Sequence, residues 1–210
     1  MPARGELELL DWRRRVFALY AEVRADADAE RAWDRWRSVR DELFRTHPQS
    51  PLPPEAGAGF AGLEYFPYDQ GLRVSAHVEP TDPEVRRIGA SGGETVSFRR
   101  FGLARFELVG APQSLELYWL EAYGGGVFCP FADGTSGRTT YGGGRYLLDT
   151  VKGADLGGDD ESFVLDFNFA YNPSCSYDPR WVCPLTPPAN RLRLDVIGGE
   201  RHPARIDASS

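Results

Sequence analysis

The first part of the chain carries apolar residues at helical spacing, with arginine and acidic residues between them. A stripe of Leu9, Val16, Tyr20 and Val23 predicts an amphipathic helix over residues 5–24. A second helix is predicted over residues 29–44, with Asp28 as its N-cap. Prolines follow this second helix and end the helical pattern.

Beyond the helical segments the period of the pattern changes to two. Apolar and polar residues alternate from Leu72 to Val78, as in a strand with one buried face, and the prolines at 80 and 83 predict a turn. Such short strands, without long helical patterns between them, favour an antiparallel sheet over a parallel βαβ sheet. Further strands are predicted at residues 96–98, 101–109, 115–122, 127–131, 163–170 and 192–197.

These patterns predict a mainly β fold, an antiparallel β sandwich or barrel of about eight to ten strands with two N-terminal α-helices. Residues 1–48 would be an N-terminal helical arm and residues 49–210 an antiparallel β domain, together one structural unit. Trp33 and Trp36 are interpreted as packing residues. The arm packs either on its own β domain or across a homodimer, and the sequence leaves both arrangements open.

The charge of the chain narrows the classes of partner. A net charge of -7 and a pI of about 5.1 argue against nucleic acid, because phosphate neutralisation needs a basic surface. The same negative net charge disfavours binding of the protein to anionic membrane surfaces. The sequence contains no apolar run of about 20 residues and no apolar signal core, so a cytoplasmic location is expected.

One candidate for chemistry is the predicted strand at residues 163–170. Alternation would place Asp166 and Asn168 on one face, about 7 Å apart, opposite an aromatic wall. These two side chains either line a ligand pocket, lie on an exposed outer face of the sheet, or form a structural hydrogen-bonded pair. All three interpretations remain open at this point, and a buried polar pair needs partners whether it lines a pocket or is structural.

A second candidate is the glycine-rich segment that contains Arg138, Tyr141 and Arg145. Glycine lets a backbone approach a ligand closely, and arginine offers paired donors to a carboxylate or a phosphate. The same arginines could instead form internal salt bridges. The segment is neither a dinucleotide-binding motif nor a P-loop, since it lacks the lysine and hydroxyl residue that end a P-loop and no helix is predicted to follow.

The three cysteines form no metal-binding pattern. Cys175 and Cys183 are separated by a spacing that zinc sites do not usually use, so no metal site is predicted. A disulfide between them, or two thiols that pack a loop, are the alternatives. A nucleophilic role for Cys175 would need a nearby base, and none is evident in the surrounding sequence.

Two long segments carry a family resemblance. Residues 133–146 (DGTSGRTTYGGGRY) and residues 166–190 (DFNFAYNPSCSYDPRWVCPLTPPAN) resemble the family called domain of unknown function 1684. Residues 47–52 and 197–200 resemble it as well, so that the similarity extends over roughly residues 43–200. The resemblance implies a small, mostly prokaryotic protein without an assigned activity, and it transfers no catalytic role.

Three functions are consistent with these features. The first is a hydrolase-like or lyase-like enzyme for a small anionic metabolite, the second a non-catalytic binding module for such an anion, and the third a structural or partner-binding protein. No cofactor motif is present. In the first function the catalytic residues would be Asp166 and Tyr141, and the ligand-binding residues would be Arg138, Arg145, Asn168, Tyr171 and Asn172.

Overall fold

The computed structural model describes residues 3–56, 59–121 and 123–203. Two helices precede six strands, and the strands form one antiparallel sheet in the order β5-β4-β3-β2-β1-β6. The elements are α1 (Ala3–Ala25), α2 (Ala29–Thr46), β1 (Arg73–Gly89), β2 (Thr95–Leu108), β3 (Ala111–Leu120), β4 (Val127–Phe131), β5 (Arg145–Asp149) and β6 (Ser162–Asp166). The predicted class, mainly β with two N-terminal helices, is therefore confirmed.

The sheet curls into a half-barrel. Tyr146 of β5 and Tyr171, which follows β6, exchange backbone hydrogen bonds of 2.9 and 3.2 Å, so the two edges of the sheet come together. The concave side holds the main core, which includes Leu117, Phe131 and Leu165, all inaccessible to solvent. The closure places Tyr146 of β5 beside Tyr171.

Helix α2 packs against the half-barrel through its aromatic face. The Asp28 side chain accepts a hydrogen bond from the Arg31 amide and caps the helix, as predicted. Trp36 is fully buried and packs on Phe169, with ring centroids 5.1 Å apart. Trp33 donates from its indole nitrogen to the Asn168 carbonyl at 2.8 Å.

The strand count and some strand bounds differ from prediction. Residues 80–83 lie inside β1 as a register irregularity, so this segment continues a long strand and does not turn. The two strands predicted at residues 96–98 and 101–109 form the single strand β2, which ends at Leu108. Strand β6 ends at Asp166, because this side chain caps a 3-10 turn at Phe167–Phe169 by accepting from the Asn168 amide at 3.0 Å.

The predicted strand at residues 192–197 is irregular in the structure. The carbonyl of Val196 accepts a hydrogen bond from the Arg145 side chain, whereas a strand would pair it with a neighbouring backbone. No helix in the described part of the chain has both the length and the apolar character to cross a bilayer. Helix α1 exposes Leu7, Leu10 and Phe17, and a homodimer through the N-terminal helices stays a prediction.

Candidate functional site

Arg145 lies inside the protein, at 1% side-chain exposure. Its Nη2 donates to Asp133 at 2.7 Å and to the Val196 carbonyl at 3.3 Å. Its Nη1 donates to the carbonyls of Gly198 and Glu200. The guanidinium therefore holds the C-terminal segment against β5, and both of its terminal nitrogens have protein partners.

Arg138 lies on the surface, whereas Arg145 is buried. Its Nη2 bonds both carboxylate oxygens of Asp195 at 2.7 and 2.8 Å, and its Nε donates to the Gly134 carbonyl at 2.7 Å. The side chains are 62% and 50% exposed. This pair braces the glycine-rich turn against the C-terminal segment.

Asp166 and Asn168 form a third, separate cluster. Asp166 accepts from Arg73, its cross-strand neighbour, at 3.2 Å and from the Asn168 amide nitrogen at 2.8 Å. Asn168 in turn exchanges two hydrogen bonds with the backbone of Asp69. Burial raises the pKa of Asp166, although its hydrogen bonds to Asn168 and Arg73 oppose that rise.

Tyr141 belongs to a fourth cluster, with its hydroxyl 3.7 Å from the Cys175 sulfur. Burial raises the pKa of Tyr141 to about 12. The predicted site residues are thus distributed over four places, while Tyr171 and Asn172 line a cavity between the helices and the half-barrel. The ligand-binding and catalytic roles assigned from sequence stay predictions.

We call this space, of about 80 Å³, the tyrosine cavity. It is several times larger than a single buried water requires, which is about 10–15 Å³. Helix α1, helix α2, β5 and two loops all contribute side chains to it. Its polar lining consists of Tyr20, Arg40, Tyr146, Lys152, Tyr171, Asn172, Ser174 and Tyr177.

Three tyrosines of the cavity, Tyr20, Tyr146 and Tyr171, keep their hydroxyl protons at neutral pH. Burial raises the pKa of Tyr20 to about 12 and raises those of Tyr146 and Tyr171 well above 10.0. A phenol that stays protonated can donate a hydrogen bond to an anion. The Tyr146 hydroxyl already donates to the Pro184 carbonyl, so within the described residues Tyr20 and Tyr171 are the two of these phenols that can donate to an anion.

Arg40 extends from α2 to the cavity, and its side chain is largely buried. Its guanidinium carbon lies 4.8 Å from the Trp36 ring centroid and 5.2 Å from that of Tyr171. The Nε donates to Tyr65 at 3.1 Å and Nη2 donates to Glu200 at 3.0 Å. Within the described residues, Nη1 has no hydrogen-bond partner.

Lys152 provides the second cation, from the 3-10 turn after β5. Its ammonium lies 3.2 Å from Asp149, which raises its pKa, and its side chain is 55% exposed. The side chain therefore lines the cavity where it meets solvent. An ammonium has three donors, so Asp149 leaves donors for another acceptor.

Glu200 lies behind Arg40 and is held there by the backbone. Gly199 has a φ of 73°, and a Cβ at this position would lie 2.6 Å from the Ala170 carbonyl, so glycine is required. Glu200 accepts from the Asn172 amide at 3.0 Å and from the Tyr177 hydroxyl. Burial raises the pKa of Glu200 to about 7, against the opposing effect of Arg40.

A larger cleft, of about 560 Å³, lies on the other side of Glu200. Its lining combines apolar and charged groups and includes Arg37, Leu63, Tyr177 and Arg201. The Arg40–Glu200 ion pair separates the two spaces, with Arg40 toward the tyrosine cavity and Glu200 toward the cleft. Tyr177 lines both.

The comparisons with known proteins agree with the resemblance of the two long segments. The model of the family described as "Protein of unknown function (DUF1684)" matches residues 58–201. This chain belongs to the DUF1684 family. The solution NMR structure of the uncharacterized protein from gene locus rrnAC0354 of Haloarcula marismortui is similar, with 36% identity and a TM-score of 0.59 over 79% of this chain and 89% of that one. No curated protein matches.

Several residues of the cavity in this DUF1684 protein were missed by sequence reasoning. Arg40 and Tyr20 belong to helices whose polar residues look like ordinary surface positions. Lys152 did have a signal, because it is the only lysine in a chain whose lysines and arginines number 24 together. Glu200 ends a glycine pair that was noted only as part of the family resemblance.

Proposed function

We propose that this DUF1684 protein binds a small anionic molecule, a carboxylate or a phosphate, in the tyrosine cavity. The observation that supports the proposal is the convergence of Arg40 and Lys152 on one small cavity. Their carboxylate partners, Glu200 and Asp149, contact them at 3.0 and 3.2 Å. In the described part of the chain, no carboxylate lines the cavity itself.

The environment favours the binding of an anion over binding of a cation or a neutral molecule. Among the described residues, Nη1 of Arg40 has no hydrogen-bond partner, and Lys152, Tyr20 and Tyr171 line the same space. A hydrogen bond to a charged group contributes about 1.5–3 kcal/mol, and burial among aromatic rings strengthens it. The cavity volume limits the bound group to a small anionic moiety.

Inorganic phosphate should raise the melting temperature of the wild-type protein in a thermal-shift measurement, relative to chloride at equal ionic strength. The substitution Lys152→Gln should weaken phosphate binding about tenfold or more, because it removes a charge-assisted hydrogen bond. Because the side chain of Lys152 is half exposed, Lys152→Gln should change the stability of the fold little.

The matched control is Arg105→Gln. Arg105 pairs with Glu79 on the outer face of the sheet and is 46% exposed, so this variant has the same net charge as Lys152→Gln. It should bind phosphate like the wild type. If both variants lose affinity equally, the effect is one of overall charge, and if neither does, Lys152 does not contact the anion.

A second candidate, an enzyme with acid–base chemistry, is favoured by one observation. Glu200 has a pKa of about 7, accepts from the Tyr177 hydroxyl and lines the larger cleft. A carboxyl that titrates near neutral pH is suited to general acid–base catalysis. Such an enzyme would lose turnover of small esters or phosphate monoesters in Glu200→Gln, and equal rates would remove Glu200 from the chemistry.

A further inference from the structure

The loop after Tyr171 brings two cysteines together near the turn between β1 and β2. Cys183 is fixed by Ser91, because the Ser91 amide donates to the Cys183 carbonyl at 3.0 Å and the Cys183 amide donates to the Ser91 hydroxyl at 3.1 Å. Cys175 belongs to a 3-10 turn at Ser174–Ser176 and is only partly buried. Both thiols are free in this structure.

The surroundings of Cys175 stabilise a thiolate. The thiols of Cys175 and Cys183 lie within hydrogen-bonding reach of each other, and the Tyr141 hydroxyl lies 3.7 Å from the Cys175 sulfur. These hydrogen bonds lower the pKa of Cys175 below its ordinary value of 9.0, against the effect of burial. The same contact raises the pKa of Cys183. Cys175 is also the more exposed of the two, since Cys183 is buried, so Cys175 is the thiol placed to meet an oxidant from solution.

Cys129 provides an internal comparison. It is fully buried in the core of the half-barrel, and burial raises its pKa to about 12. A buried thiol of this kind is chemically inert, since the thiolate is the reactive form. Cys175 thus differs from Cys129 in being partly exposed and in lying beside a second thiol.

We propose that Cys175 and Cys183 are a peroxide-reactive thiol pair, with Cys175 as the attacking thiolate and Cys183 as the resolving thiol. The Cys175 sulfur attacks one oxygen of hydrogen peroxide, the O–O bond breaks, and the departing hydroxide takes up a proton to become water. The Cys183 sulfur then attacks the resulting sulfenic acid, forms the S–S bond, loses its proton and releases a second water. Two thiols are oxidised and one peroxide is reduced.

The disulfide would close a ring that contains Tyr177, whose hydroxyl bonds Glu200. Oxidation would therefore constrain the loop that lines both the tyrosine cavity and the larger cleft. The reactivity of the pair does not depend on anion binding, and each proposal can fail without the other.

The test is oxidation of the reduced protein with hydrogen peroxide, followed by alkylation under denaturing conditions and peptide mass spectrometry. A Cys175–Cys183 disulfide should form, while Cys129 stays available for alkylation. In Cys183→Ser, Cys175 should accumulate as a sulfenic acid that dimedone traps. In Cys175→Ser, Cys183 should no longer be oxidised at the wild-type rate. Equal oxidation of all three cysteines, or unchanged oxidation of Cys183 in Cys175→Ser, would overturn the proposal.

A pH profile tests the assignment of the nucleophile without a disulfide. The rate of Cys175 alkylation by iodoacetamide should reach half its maximum below pH 9.0, and Tyr141→Phe and Cys183→Ser should each move that midpoint upward. Tyr141, Tyr146 and Lys152 are the titratable neighbours that act on the pair. A midpoint at or above 9.0 in the wild type would contradict the assignment.

Discussion

Replacing Arg145 with alanine should lower the free energy of unfolding by about 3–5 kcal/mol. The substitution leaves the carboxylate of Asp133, which is 1% exposed, buried without its cation. It also removes the donors to the carbonyls of Val196, Gly198 and Glu200, which hold the C-terminal segment in place. Urea unfolding of the purified variant measures the change.

Arg138→Ala is the matched comparison, because it removes the other arginine of the same glycine-rich segment. In the Arg138–Asp195 pair one nitrogen bonds both carboxylate oxygens, but the pair is mostly exposed, so its loss should cost no more than about 1 kcal/mol. A large difference between the two variants indicates that Arg145 is a structural residue. Equal and small effects would instead mean that the hydrogen bonds of the Arg145 guanidinium do not stabilise the fold and that the group is free for a ligand.

The free energy of unfolding should depend on pH through the buried carboxyl of Glu200. Its pKa rises from 4.5 to about 7 on folding, which corresponds to about 3 kcal/mol. The folded state keeps this proton while the unfolded state has already lost it. The stabilisation is therefore complete below pH 4.5 and disappears as the pH rises to about 7.

The measurement compares urea unfolding of the wild type and Glu200→Gln across this pH range. The glutamine side chain resembles the protonated acid and does not titrate, so the variant should gain about 3 kcal/mol relative to the wild type as the pH rises. A difference that stays constant would show that the Glu200 pKa is unchanged by folding. A difference of opposite sign would show that Arg40 keeps the carboxylate ionised and outweighs the effect of burial.

Much of the fold could be predicted from local patterns. The two helices follow from apolar spacing and the Asp28 cap, and the antiparallel sheet follows from period-two alternation. The errors come from side chains that compete with strand hydrogen bonding. Asp166 caps a turn where the alternating aromatic residues predict a strand, and Arg145 binds the backbone of the predicted strand at residues 192–197.

The candidate site was harder to predict, because its residues are distant in sequence. Tyr171 and Asn172 were assigned to a ligand pocket from the motif in which they occur, and they do line the tyrosine cavity. Arg40 joins them only because α2 packs on Phe169, and Lys152 only because the half-barrel curls to bring β5 beside the loop. Neither packing arrangement is visible in the local sequence.

An anion bound beside Lys152 should shield its ammonium from modification, and the composition of the chain allows this to be measured directly. Lys152 is the only lysine, so an amine-selective acylating reagent modifies this side chain and the α-amino group alone. Its rate of modification is measured by peptide mass spectrometry with phosphate or with chloride at equal ionic strength. Phosphate should slow modification of Lys152 and leave the α-amino group unaffected, and an equal rate for Lys152 in both salts would contradict anion binding beside Lys152.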